Sequence, residues 1–280
     1  AFAALAHEAF EAAKAIDEAM DTIVKATGAT GEKFDQMEAS FKAVFGNSIQ
    51  SSNDLAGALA VLSQRTGATG DDLTELTSIN SKFAQVTDQQ MRPAVENTQK
   101  VFQAWGVATQ DQADKLDALV AVSQKTGVGV AAITNSLQGA GAVLRTLGMD
   151  FNSSAALMAN FAAKGLDAER VAGALKIGLT SLSKEGVKEP EAAMRSLIEQ
   201  LVQSKTPMEA LTLASENFGK RGALYIVDAA QRGGFAINDM KVAADNARGT
   251  IVTTAAATES FGEKLDKLKN SVTLALEPLG

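Results

Sequence analysis

Between its glycines this chain carries apolar residues at i, i+3, i+4 and i+7, and almost nowhere do they alternate. That spacing is the period of a helix with one buried face, and it leaves little from which to draw a strand. With 23 glycines and four prolines, the helices must be short and frequently interrupted. Their starts are marked too. Asn53-Asp54-Leu55 offers a capping side chain ahead of an apolar run from Leu55 to Leu62. Thr206 precedes Pro207 and Glu189 precedes Pro190, which places each proline at a first helical position, where its missing N–H costs nothing. Pro93 falls inside a helical stretch, and Pro278 lies near the end. The expected fold class is all-α: a compact multi-helix domain of short Ala-rich helices joined by glycine turns, in two lobes, with longer terminal helices.

One joint recurs. Thr27-Gly28-Ala29-Thr30-Gly31 and Thr66-Gly67-Ala68-Thr69-Gly70 are near copies, and Thr126-Gly127-Val128-Gly129-Val130 is a looser third. The residues before the last two agree as well, Leu62-Ser63-Gln64-Arg65 against Val122-Ser123-Gln124-Lys125. Glycine just past a helix end accepts the left-handed backbone that closes the helix, and in the first two copies the later Thr is placed to cap the next one. Gly148 and Gly165 repeat the logic, with Asp150 and Asp167 as caps. The joints come at irregular intervals, which argues against a strict solenoid. The expected divisions are an N-terminal lobe over 1–107, a central lobe over 108–250 and a coiled-coil-like helix over 251–280. Trp105-Gly106 and Thr109-Gln110-Asp111 mark the first boundary. The chain starts without Met, and both ends sit inside helical patterns, as expected of a piece of something longer.

Charge and composition exclude several functions. The net charge is −7, and the nearest thing to a cationic patch is Lys220-Arg221, which reads as a solvated turn. Nucleic-acid binding needs a basic face to neutralise phosphates, so none is expected. Without cysteine, disulfides, thiolate chemistry and Cys-ligated zinc are all ruled out. No apolar run approaches the roughly 20 residues of a membrane span. His7 is the only histidine, so neither a His-based triad nor a two-His metal site can be assembled. Asp71, Asp72 and Glu75 read as ordinary partners of a helix dipole. Gly139-Ala140-Gly141-Ala142 lacks the Gly-Lys-Ser/Thr ending of a phosphate loop and reads as a face for close packing. No catalytic, metal or cofactor residue is expected.

Both ends carry a heptad-type seam. Near the start it runs through Phe2, Leu5, Ala9, Ala12, Ile16, Ala19 and Ile23. Near the finish it runs through Ile251, Ala255, Thr258, Phe261, Leu265, Leu268, Val272, Ala275 and Leu279. Each suits either an ordinary amphipathic helix or a longer coiled segment. Ile251, Phe261, Leu265, Leu268, Val272 and Leu279 are the candidate oligomer seam.

From Leu119 onward an ordered series of segments resembles the core region of phage tail tape-measure proteins, the minor tail protein family. It includes Leu144 to Gly148, Ala155 to Gly165, Arg170 to Leu179, Asn217 to Ala223 and Ser260 to Gly280, and the likeness covers roughly 50 to 280. Asn217-Phe218-Gly219-Lys220-Arg221-Gly222-Ala223 is similar to the family's Phe-Gly turn before an Ala-rich helix. The resemblance implies a structural, non-enzymatic protein of the virion tail, found in the tube lumen after assembly in the host cytoplasm. It implies roles in tail length determination and DNA ejection through contacts with tail-tube and baseplate or tail-tip proteins, as a homo-oligomer, with host-membrane contact during infection. Two other readings stay open: a helical membrane-active module and a domain associated with a cell-wall hydrolase.

Overall fold

A computed structural model describes residues 2–279, with side chains from His7 to Pro278 except that of Glu191. The described residues form α-helices and two short 3-10 turns, with no strand. The fold is all-α.

In chain order the helices are α1 (Phe2–Thr27), α2 (Glu32–Phe45), α3 (Ser52–Thr66), α4 (Gly70–Val86), α5 (Met91–Trp105), α6 (Gln112–Thr126) and α7 (Val130–Thr146). They continue as α8 (Phe151–Ala163), α9 (Ala168–Lys184), α10 (Pro190–Gln203), α11 (Pro207–Gln231), α12 (Asn238–Asp245), α13 (Thr250–Thr258) and α14 (Phe261–Leu276). Two compact units share them. The first takes the chain up to Phe102, Val107–Leu116 and everything from Gly249 on; the second takes Gln103–Gly106 and Asp117–Arg248.

The first unit is built on α1 against α3 and α2 against α4. The N-terminal seam is used up inside it: Ala9, Ala12, Ile16, Ala19 and Ile23 are all buried, while the side chains of Phe2 and Leu5 lie outside the described residues. Phe41 and Phe45 stack at 5.2 Å within the same core, beside Met37, Leu55, Leu59 and Leu73. Helix starts here are tied across the fold. Ser51, rather than Asn53, caps α3, its hydroxyl accepting from the Asp54 N–H at 3.3 Å. That leaves the Asp54 carboxylate to accept from the Met91 and Arg92 amides at 2.8 and 3.1 Å, so it caps α5 from a distance. Pro93 therefore stands in the first turn of α5, where an amide has no intrahelical partner to lose.

The second unit centres on α9 against α11, with α10, α7, α8 and α12 around them. Small residues set the approach. A Cβ on Gly222 would lie 2.9 Å from the Ala174 Cβ, and one on Gly178 2.7 Å from the Phe218 ring. Buried Asn160 donates from Nδ2 to the carbonyls of Gly233, Gly234 and Ala236, at 3.1, 2.6 and 3.3 Å, and so organises the loop after α11. Phe235 of that loop meets Phe161 edge-on at 5.3 Å. Gly141 of the Gly-Ala-Gly-Ala stretch makes room for the Trp105 indole, whose Nε1 would stand 3.2 Å from a Cβ there.

Candidate functional site

Glycine joints set where one helix ends and the chain turns toward the next. Gly28, Gly67, Gly127, Gly148 and Gly165 all stand past helix ends with φ between 64° and 76°. In the three Thr-Gly copies it is the leading Thr that works. Thr27, Thr66 and Thr126 each donate to a carbonyl one turn back (Ile23, Leu62, Val122) at 2.7–2.8 Å. Each also accepts from the amide two residues on (Ala29, Ala68, Val128) at 3.1–3.3 Å. The side chain thus closes one helix and turns the chain toward the next. The later threonines make no side-chain cap: Gly31 starts α2, and Thr69 starts α4 without a side-chain bond. Asp150 and Asp167 do cap, accepting from Ser153 N at 2.7 Å and Arg170 N at 3.1 Å. Gly219 is different. It breaks α11 from within (φ 70°, ψ 155°), so the Phe-Gly element is a kink inside a helical run, and Lys220 and Arg221 are exposed on the helix that resumes.

The C-terminal seam divides. Ile251 and Ala255 are buried where α13 packs on α4. The chain then turns at Glu259-Ser260, and α14 begins with a capping box: Ser260 Oγ accepts from Glu263 N at 3.2 Å, and Glu263 Oε2 accepts from Ser260 N at 2.6 Å. Beyond the turn the stripe faces solvent. Phe261, Leu265, Leu268 and Val272 are 77%, 49%, 59% and 45% exposed. The Leu279 side chain lies outside the described residues.

On its other side α14 packs against α1 and α2 and makes hydrogen bonds to the first unit. Gln85 donates to Glu263 Oε1 at 2.8 Å, and Asn270 donates to the carbonyls of Ser48 and Gln50 at 2.8 and 2.9 Å. Lys42 pairs with Glu277, just past the end of α14, at 2.9 Å, and Lys267 folds back onto Glu259 of the preceding turn at 2.6 Å. Leu274 adds the apolar contact, packing against the core. Burial works to lower the Lys42 pKa, but bonds to Glu277 and Glu38 outweigh it and hold the ammonium above its ordinary range. At about 100° per residue, Glu263, Lys267, Asn270 and Leu274 centre about 180° from Phe261, Leu265, Leu268 and Val272. The helix is docked with its apolar seam outward.

The second unit holds a groove of about 670 Å³ beside α10, with Leu157, Leu175, Met194 and Phe235 in its walls and Asp150, Arg195, Glu199 and Lys241 among its polar lining. No group of three or more His, Asp or Glu side chains converges for a metal among the described residues. The described residues present glycine joints and, on α14, an outward apolar stripe.

A family model described as phage-related minor tail protein matches residues 45–275. The chain belongs to that family. No curated protein and no solved structure matches this minor tail protein. The match takes in both units, from the end of α2 nearly to the end of α14, and with them all six turn glycines except Gly28. As a phage tail protein it is a structural component of the virion tail.

Proposed function

We propose that this minor tail protein is the core region of a tape-measure protein, working through protein contacts in the tail-tube lumen. One observation carries the reading: the family match spans 45–275 of a chain in which Asp54, Asp150, Asn160 and Asn270 cap helices or tie them together. A helix rises about 1.5 Å per residue, so an extended helical chain translates its length linearly into tube length. The compact glycine-jointed units suit a different step, engagement of tail-tube and baseplate or tail-tip proteins. A net charge of −7 suits a chain that leaves the tube ahead of DNA, because it has no excess of cations to hold phosphates. Deleting the gene from the parent phage or prophage tests the reading. Tails should be missing or uncontrolled in length, and antibodies should reach the chain in wild-type virions only after the tails are opened. Tails of normal length without it would reject the proposal.

A second reading, a membrane-active module, has one observation behind it. Among the described residues no single helix is long and apolar enough to cross a membrane, but Thr109–Thr126 with Val130–Thr146 passes as a pair bent by 113°. Release of dye from lipid vesicles by the chain would favour it, and intact vesicles would dismiss it.

A further inference from the structure

Single exposed apolar side chains are ordinary on any protein surface. Four at consecutive heptad positions, on a helix docked by its opposite face, are not. We infer that the outward stripe of α14 is a docking face for a partner helix whose own apolar seam is edged by carboxylates. The inference stands apart from the tape-measure reading, since it uses only α14 and its surroundings.

Width points to a helix. Phe261, Leu265, Leu268 and Val272 fall within about 60° of the helix circumference at 100° per residue. A helix that lies on a membrane or covers a core needs an apolar face of about 100° or more, whereas a strict 3-4 stripe this narrow is the seam of a paired helix. Charge chooses the partner. The stripe is edged by Lys264 on one side and Lys269 on the other, both exposed. Lys267, by contrast, is turned to Glu259 on the docked side, and Glu263 to Gln85. The acidic residues of α14, Glu263 and exposed Asp266, thus stand about 100° or more from the stripe, and Lys264 and Lys269 line it. A second copy of α14 would set lysine against lysine along both edges, which destabilises helix pairs, while a helix with Glu or Asp at those positions gains attraction at each.

The test uses the 280-residue chain and two designed peptides of about three heptads, Leu at the seam positions of both, Glu at the flanking positions of one and Lys at those of the other. Fluorescence anisotropy at low salt should show the Glu-edged peptide binding about tenfold tighter. K264E/K269E should reverse that preference. L265D/L268D should abolish binding with helical content and melting unchanged, since both side chains face solvent. Equal binding of the two peptides, or none of either, overturns the inference. So does a doubled mass in light scattering that L265D/L268D removes, which would make the occupant a second copy. Binding to anionic phospholipid vesicles lost in the same variant would overturn it in favour of a membrane surface.

Discussion

At positions 178 and 222 hydrogen is the side chain that fits, and the consequence separates two kinds of glycine on neighbouring helices. A methyl group on Gly178 meets the Phe218 ring at 2.7 Å, and one on Gly222 meets Ala174 at 2.9 Å, both between α9 and α11. Gly178→Ala or Gly222→Ala should therefore destabilise the second unit by about 1–3 kcal/mol, as overpacking does. Gly173, also within α9, has nothing within 4 Å of a built Cβ. Gly173→Ala should stabilise by about 0.5–1 kcal/mol, because alanine loses less backbone freedom on entering a helix. Urea unfolding of the three variants checks both signs. Asn160 poses the same kind of question for a polar group: Asn160→Ala leaves the buried Gly234 carbonyl without its donor and should cost about 1–3 kcal/mol by the same measurement.

Among the elements, α14 shows how a helix can be held by the face that a pattern reading assigns to solvent. Its first turn should respond to pH. The Ser260 N–H bonded to Glu263 holds that carboxyl below its ordinary range, against the opposing effect of partial burial, with Gln85, the Ser260 hydroxyl and Lys267 adding to the lowering. A carboxyl whose folded pKa is depressed contributes stability that is present above its unfolded value of about 4.3 and is lost as pH falls through the folded value. Glu263→Gln should therefore cost stability at pH 7, with the gap to the parent chain closing below about pH 4. Hydrogen exchange of the α14 amides at the two pH values reads it. Asn270→Ala should speed exchange along α14 at either pH, because it removes both bonds to the carbonyls of Ser48 and Gln50.

Over the whole molecule, charge makes the remaining prediction. At −7, with Lys220 and Arg221 an isolated pair, the chain should give no detectable shift of duplex DNA even near 50 mM salt, where phosphate contacts are strongest. Retention of DNA at that salt would remove the argument that the chain leaves the tail freely. Much else at this scale could be read from residue order alone. Apolar spacing of 3 and 4 forces helices, and glycine after a helix end forces a turn, because both are settled by backbone sterics within a few residues. The all-α class, the joints at Gly67 and Gly127 and the caps at Asp150, Asp167 and Thr206 were legible for that reason. Local rules could not say which of two equivalent seams is buried. The stripes beginning at Ala9 and at Phe261 have the same period, yet α3 covers the first while the second faces water, because α14 packs on α1 and α2 by its other side and bonds there through Glu263 to Gln85 and through Asn270 to the carbonyls of Ser48 and Gln50. Nor could they reveal that Asp54 caps a helix 37 residues away. Period and capping are properties of a short stretch of chain; what a face meets depends on residues distant in sequence, and only the tertiary structure brings those together.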